Sequence, residues 1–203
     1  MKQINIFIIT AILLVYSQAS LSAEWFYIGG TFGQTTYDTG ITNPTGTAKI
    51  EDEADTSKVL LGFTIGFWDL TAEIYDADLG GTTFTANSGD TYMYNESPVT
   101  VLVNGYKRVS ENSASGVNLL YRVGFDIGTV YAKAGVMYWS TTVTTSINGV
   151  TTEVVTQKGA DALVGMGFDY HLAPFTLLRL DYERSELDEM PLSTISLGVV
   201  FAY

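Results

Sequence analysis

The chain has 203 residues, a formal net charge of −12 and no cysteine. We therefore expect no nucleic-acid partner, since nucleic acid binds basic surfaces, and neither a disulfide nor a lipid-modified cysteine. After the N-terminal region no stretch of 18 consecutive apolar residues occurs, which argues against a helical membrane protein. The 13% aromatic content and the 20 glycines against 4 prolines favour many short strands and an all-β chain.

The N-terminus has the pattern of an export signal. Lys2 is followed by an apolar stretch over 4–15 and then by small residues up to Ala23. This stretch is too short to cross a bilayer as a helix, which needs about 20 apolar residues. We predict a cleaved signal peptide over 1–23, leaving one domain over 24–203. An alternative cleavage site lies after Ala19. The alternative to a signal peptide is a buried N-terminal helix of a soluble domain.

Eight segments then alternate between apolar and small or polar residues with a period of two. The second is the clearest, with Val59, Phe63 and Phe67 on one side and Lys58 and Gly62 on the other. Each is near the 9 to 11 residues that a tilted strand needs to cross a membrane. The predicted strands cover 24–34, 58–68, 70–79, 117–127, 130–141, 160–172, 175–185 and 192–203.

The connections between these segments alternate in length. The chain turns within few residues around Asp69, Gly128 and Ala173, whereas 35–57, 80–116 and 142–159 are long and 186–191 is shorter. Short turns on one side and long loops on the other are typical of outer-membrane barrels, with the short turns and both termini in the periplasm. Within 80–116 the pair Asn104 and Gly105 predicts a hairpin. We expect either that the strands extend beyond the membrane there or that a small hairpin stands on the rim. The alternative for the third loop is that its threonine-rich, β-prone segment 141–156 extends the flanking strands as a ribbon for edge pairing with a partner.

A soluble eight-stranded barrel is the main alternative, because it is also all-β and of similar length. Its exterior would carry scattered charges, whereas here the consistently apolar face opposes a face of glycine, threonine and few charges. That apolar face would cause aggregation if water surrounded it. The sequence therefore favours an eight-stranded antiparallel transmembrane β-barrel.

Several segments resemble the small outer-membrane barrels of the OmpA transmembrane-domain and OmpX type. The matching segments are 25–30, 61–67, 131–136, 164–170 and the final strand, and the likeness covers nearly all of the mature chain. It implies a monomer in the cell outer membrane, in contact with outer-membrane lipid and lipopolysaccharide. It also implies that the barrel-assembly machinery reads the last alternating residues as an assembly signal: Ile195, Leu197, Val199, Phe201 and Tyr203.

The inward positions of the predicted strands carry charges of both signs. They are Glu73, Arg122, Lys133, Arg179, Asp181 and Glu183, with Asp126, Asp161 and Asp169 expected nearer the ends of the lumen. Side chains fill the interior of an eight-stranded barrel, and charges buried there require partners. The sequence predicts a lumenal charge network. It acts either as structural ion pairs or as the gate of a narrow pore.

The long loops are the remaining candidates for function. Glu51, Asp52, Glu53 and Asp55 form an acidic run in the first loop. This run is either a solvated charged face or a site that meets lipopolysaccharide phosphates through divalent cations.

Catalysis has little support in the sequence, since the single histidine, His171, lies beside a periplasmic turn without a serine and acid to complete a triad. We predict no catalytic residue, no cofactor and no bound metal. The predicted function is a non-catalytic outer-membrane β-barrel that contributes to envelope integrity and presents acidic extracellular loops to a host or cell-surface ligand. The alternative is a narrow pore for ions or small solutes.

Overall fold

The computed structural model describes residues 26–65, 69–188 and 190–203. The predicted signal peptide over 1–23 lies outside these residues. No helix in the described part of the chain is long and apolar enough to cross a membrane. Its strands are β1 (Phe26–Tyr37), β2 (Ile41–Thr42), β3 (Lys49–Glu51), β4 (Glu53–Ile65), β5 (Leu70–Gly80), β6 (Thr83–Ala86), β7 (Thr91–Tyr94), β8 (Ser97–Thr100), β9 (Tyr106–Phe125), β10 (Gly128–Ile147), β11 (Val150–Ala173), β12 (Thr176–Leu187) and β13 (Met190–Ala202).

Eight of these strands form a closed antiparallel ring. Their order around the ring is β1, β4, β5, β9, β10, β11, β12 and β13, and β13 pairs with β1 from Ala202 opposite Tyr27 to Leu192 opposite Tyr37. Closure leaves no unpaired edge at membrane depth, where free backbone groups would be costly. The predicted eight-stranded barrel is confirmed.

The two faces of each strand differ sharply, because successive side chains point to opposite sides of a sheet. Phe32 and Met166 on the outer face are 73% and 62% exposed, while Arg179 on the inner face is fully buried. A belt of large apolar side chains this exposed, on the outside of a closed barrel, indicates a surface that faces hydrocarbon. The outer belt comprises Val59, Phe63, Ile65, Ile74, Val117, Leu119, Val123, Phe125, Val130, Val136, Val164, Leu180, Leu197 and Phe201, among others.

The periplasmic ends have short turns, as the sequence predicts. Phe125 of β9 lies opposite Gly128 of β10, and Ala173 of β11 lies opposite Thr176 of β12, so two residues form each turn. Asp69 has a positive φ of 51° just before β5 and accepts the Arg122 backbone N–H through its carbonyl oxygen. The start of β1 and the end of β13 lie at the same end of the barrel as these turns, which is the periplasmic end.

The connection over 142–159 is not an irregular loop, and the alternative that its flanking strands extend as a ribbon is confirmed. β10 and β11 continue through it as a long hairpin, with Asn148 and Gly149 as a two-residue turn at φ values of 52° and 78°. An Asn-Gly pair with both φ values positive is the turn whose twist suits a hairpin. The segments that flank it are rich in threonine and valine, which favour strands, so pairing continues well beyond the membrane.

The predicted position of a hairpin turn at Asn104 and Gly105 is wrong, whereas the expected extension of a strand beyond the membrane is present in β9. β8 pairs with β7 through a turn at Asn95 and Glu96, which both have positive φ, whereas Tyr106 begins β9 and pairs within the barrel wall. The last connection, predicted as an excursion over 186–191, is a tight turn, since Leu187 lies opposite Met190. The first two extracellular loops are long, and they contain β2, β3, β6, β7 and β8.

Candidate functional site

Arg179 is fully buried in the lumen and binds two carboxylates. Its guanidinium donates to Glu73 Oε2 at 2.6 Å and to both carboxylate oxygens of Asp169 at 2.7 and 2.8 Å. Asp169 also accepts from Arg122 at 3.0 Å. Arg179, Glu73 and Asp169 are all 0% exposed. Asp169 lies opposite Thr129, the second residue of β10, so it is close to the periplasmic end of the lumen, as the sequence predicts.

A second group of ion pairs lies on the extracellular side of the first. Lys133 binds Glu183 at 2.6 Å and also binds Asp181, and Lys58 binds the other oxygen of Glu183. Lys58 is missing from the predicted network although its parity on β4 places it inward. Strand parity alone could have identified it, because the residues on either side, Ser57 and Val59, face outward.

The two groups together contain four cations and four carboxylates, so their charges balance. Neutral side chains add further contacts: the Tyr27 hydroxyl donates to Glu73 at 2.8 Å, and the Arg179 guanidinium lies 4.9 Å from the ring centroids of Tyr27 and Tyr131. Charge-assisted hydrogen bonds and cation–π contacts of this kind offset the desolvation of buried ions. All six predicted lumenal residues therefore lie in this balanced set.

A layer of apolar side chains separates these ion pairs from the outside. It consists of Tyr37, Leu79, Met137, Leu163, Leu187 and Leu192, each at most 4% exposed. The hydroxyl of Tyr37 donates to the carbonyl oxygen of Leu79 at 2.7 Å, which joins β1 to β5 across the lumen. The extracellular half of the barrel interior is therefore filled, as expected for eight strands.

The first two extracellular loops pack together above this layer. Ala48, Phe84, Ala86 and Val101 form a small apolar core of their own, against which Tyr92 packs with its ring centroid 4.8 Å from that of Phe84. The loops are therefore ordered and present a fixed surface, which we call the extracellular cap and define as residues 38–52 and 81–105.

Asp90 joins the two loops of the cap. Its carboxylate accepts from the backbone N–H of Asn87 at 2.8 Å and from the N–H and hydroxyl of Thr47 at 3.0 and 2.7 Å. These hydrogen bonds, that of Asn87 first, favour the ionised form and hold the pKa of Asp90 below its usual value. The tie between the loops therefore depends on a carboxylate charge.

The predicted acidic run lies at the start of the barrel wall rather than at a loop tip. Glu51 ends β3 and Glu53 begins β4, where Glu53 accepts from the Gln34 side chain at 3.1 Å. Further outward-facing acids follow on β5 and β9, and the sequence analysis did not single them out. We call the set the acidic band: Glu51, Asp52, Glu53, Asp55, Asp76, Asp78 and Glu111.

The last strand presents the predicted alternation to the outside. Ile195, Leu197 and Phe201 are exposed on the lipid-facing side of β13. The Tyr203 ring packs between two other rings, with centroid distances of 5.7 Å to Phe26 and 6.3 Å to Phe175. These contacts join β1, β13 and the turn before β12. They give Tyr203 a role in the finished barrel besides the predicted one in assembly.

The remaining polar candidates lie apart from one another. His171 is exposed on β11 near the periplasmic turn, and Asp126 lies in the turn between β9 and β10. Asp161 accepts from Trp139 Nε1 at 2.5 Å, near the extracellular end. Across 26–65, 69–188 and 190–203, no group of three His, Cys, Asp or Glu residues is arranged to hold a metal ion.

Comparison with known proteins identifies a family. Residues 22–186 match the family model of the OmpA-like transmembrane domain. No curated protein matches the chain.

Solved structures share the fold at low sequence identity. Ail, the attachment invasion locus protein of Yersinia pestis, is 13% identical with a TM-score of 0.51, covering 88% of this chain and 97% of its own. The N-terminal β-barrel domain of Pseudomonas aeruginosa OprF is 14% identical with a TM-score of 0.51, covering 88% and 97%. Pseudomonas aeruginosa OprG is 11% identical with a TM-score of 0.53, covering 88% and 95%.

Proposed function

Because the chain belongs to the OmpA-like transmembrane domain family, we propose that this outer-membrane β-barrel is non-catalytic, contributes to envelope integrity and presents an acidic extracellular surface for interaction or adhesion. The observation that carries the proposal is the contrast between interior and exterior. The lumen is filled by balanced ion pairs and an apolar layer, whereas the extracellular cap and the acidic band are ordered and exposed. A barrel with a filled interior and an ordered outer surface is better suited to binding other molecules at that surface than to conducting ions or solutes.

The position of the acidic band supports a contact with lipopolysaccharide. Asp76 follows the lipid-facing Ile74 by one outward step on β5, so the carboxylates begin where the apolar belt ends. We assign this level to the phosphates of lipopolysaccharide. Carboxylates and phosphates repel each other unless a divalent cation such as Ca²⁺ lies between them, and oxygen ligands of both kinds suit that ion. The barrel would thus be tied to its lipid neighbours and strengthen the outer leaflet.

The surface ligand is proposed to differ from that of a structural neighbour. Ail from Yersinia pestis has been solved in complex with the heparin analogue sucrose octasulfate, an anion. The present chain has 22 acidic against 10 basic residues, so its surface repels polyanions. A ligand that is cationic, zwitterionic or bridged by divalent cations fits this charge.

The orientation can be tested with single cysteines, since the natural chain has none. We expect Leu102→Cys in the cap, which is 83% exposed, to react with a membrane-impermeant maleimide on intact cells. Phe175→Cys at the periplasmic turn, also exposed, is the matched control and is expected to react only after the outer membrane is permeabilised. Labelling of position 175 on intact cells would contradict the proposal.

The contribution to the envelope can be tested by neutralising the acidic band. A variant with Glu51→Gln, Asp52→Asn, Glu53→Gln and Asp55→Asn is expected to admit more of a hydrophobic dye into cells and to reduce attachment to a surface. A control in which each Asp and Glu is exchanged for the other keeps all four charges and should behave as the wild type. If the neutral and the exchanged variants admit the same amount of dye and attach equally well, the charge of the acidic band is not what stabilises the envelope or mediates attachment.

One observation favours the narrow pore as a second candidate. Several buried lumenal atoms have no hydrogen-bond partner in the described protein, including Tyr131 Oη, Asp181 Oδ1 and Ser196 Oγ. Buried polar groups of this kind are usually bonded to water, which would lie between the side chains that fill the lumen. Discrete single-channel openings in planar bilayers that change with Arg179→Met would favour the pore. A silent bilayer that contains folded protein would favour the structural role.

A further inference from the structure

A cavity of about 220 Å³ lies above the apolar layer, between the extracellular cap and the upper walls of β9, β10 and β11. The loops and the tight turn between β12 and β13 all contribute to its lining. We call this cavity the vestibule. Neither the ion pairs of the lumen nor the acidic band explains it.

The vestibule has fixed aromatic walls. Trp139 and Phe84 both line it and are only 6% and 5% exposed, and Tyr94 lies at its rim. The Trp139 indole is held by its hydrogen bond to Asp161 and packs on Gly159, where a side chain would clash with the ring. These rings need little reordering when a ligand binds, which lowers the cost of binding.

Two opposite charges line the same cavity. They are Arg108 on β9 and Asp188 in the turn after β12. Within the described residues, neither forms an ion pair or a side-chain hydrogen bond, whereas all eight charges of the lumenal network are paired. A cavity of this volume is only ~7 to 8 Å across if roughly spherical, so one small molecule could reach both groups.

The combination specifies the chemistry of the occupant. An unpaired guanidinium suits phosphate, with which it forms two parallel hydrogen bonds. Aromatic faces beside a carboxylate suit a quaternary ammonium, which ring quadrupoles attract. The acidic surroundings disfavour a simple anion, and Arg108 disfavours a simple cation. A zwitterion with separated charges satisfies both.

We infer that the vestibule binds a phosphocholine group, with its phosphate on Arg108 and its trimethylammonium against Trp139, Tyr94 and Asp188. Phosphocholine has about ten non-hydrogen atoms, which suits a cavity below the ~300 Å³ at which sites for larger ligands begin. The inference rests on the proposed surface role and names the chemistry of one partner. The group could come from a soluble molecule or from a lipid headgroup.

A side opening gives such a group access. β11 pairs with β12 only as far as Leu163 opposite Ser185, and beyond this point the two strands separate. A second cavity of about 440 Å³ lies in the gap and shares Trp139, Gln157 and Asp188 with the vestibule. A headgroup that is still attached to its lipid could therefore reach the aromatic walls.

Titration calorimetry with free phosphocholine tests the inference, using the mature protein in a maltoside detergent that lacks this group. We expect saturable binding that Arg108→Gln weakens at least tenfold, because a charge-assisted pair is lost. Asp188→Asn should weaken it by a similar factor. Lys107→Gln and Glu186→Gln are matched controls and should change binding less than threefold. Lys107 is exposed on the face of β9 opposite to Arg108, and Glu186 is exposed on the outer face of β12, before the turn that carries Asp188.

Saturable binding with this pattern supports the inference. It is overturned if no saturation occurs below about 10 mM phosphocholine, if the controls weaken binding as much as the vestibule variants, or if L-phenylalanine binds and phosphocholine does not. Protein in phosphatidylglycerol nanodiscs that captures phosphatidylcholine vesicles, in competition with free phosphocholine, assigns the lipid headgroup as the source. Binding of the free group alone assigns a soluble source. If Leu102→Cys is labelled from outside and phosphocholine still fails to bind, only this inference fails.

Discussion

Replacing Arg179 by methionine should destabilise the barrel more than any other single change in the lumen. The substitution removes three hydrogen bonds of 2.6 to 2.8 Å and leaves two buried carboxylates without their main partner. Removing one member of a buried pair typically costs 3–5 kcal/mol. The lower end, about 3 kcal/mol, applies here because Arg122 still binds Asp169 and the Tyr27 hydroxyl still donates to Glu73.

The double variant Arg179→Met with Glu73→Gln tests the charge argument directly. It restores equal numbers of positive and negative charges in the lumen, with Arg122 still on Asp169. Loss of both partners of a buried pair is often nearly neutral, so we expect the double variant to be at least ~1 kcal/mol more stable than the single variant.

The assay is equilibrium urea unfolding in lipid vesicles, followed by the mobility of unheated samples on denaturing gels. Arg184→Met, an exposed position on the outer face of the same strand, is the matched control and should cost less than ~1 kcal/mol. The reasoning is refuted if Arg179→Met lies within about 1 kcal/mol of the wild type, or if the double variant is the less stable of the two.

Three further outcomes follow from the cap, the seam and the hairpin. The hydrogen bonds of Asp90 lower its pKa in the folded state, so the stability that they confer is present above the unfolded pKa and is lost as pH falls through the folded pKa. The amide resonance of Thr47, which donates to Asp90, should therefore titrate below the usual range of aspartate. A midpoint within that range would contradict the prediction. Tyr203→Ala should lower the temperature at which the folded gel band converts, since two aromatic contacts worth about 1 kcal/mol each are lost, whereas Tyr203→Phe should not. Gly149→Ala should make the β10–β11 hairpin easier to cleave with protease, because a φ of 78° costs alanine about 1 kcal/mol. Gly124→Ala is the control, since no atom lies near its new methyl group. Equal cleavage of the two variants would exclude backbone strain as the cause.

The membrane part of the fold could be predicted from the sequence because lipid imposes a strict alternation. Val59, Phe63 and Ile65 must face hydrocarbon, and the residues between them must then face the lumen. This pattern weakens where a strand leaves the membrane, since both faces meet water and threonine suits either. For that reason the predicted strand over 130–141 ends six residues before β10 does, and the turn at Asn148 was missed.

The pairing of charges could be predicted only in part. Parity identifies which side chains enter the lumen, but not which of them meet across it, because partners such as Arg179 and Glu73 are 106 residues apart. The vestibule was not predicted at all. It depends on how Arg108, Trp139 and Asp188 converge from different strands above the membrane, where no periodic pattern exists.

The seam between β1 and β13 has a consequence for biogenesis. It pairs the first strand of the ring with the last, for example Tyr27 with Ala202, so contacts between residues close in sequence cannot form it. Until β13 pairs with β1, the incomplete sheet has two unpaired edge strands, which can pair with strands of other proteins. A bacterium that makes this protein must therefore shield both edges until β13 pairs with β1.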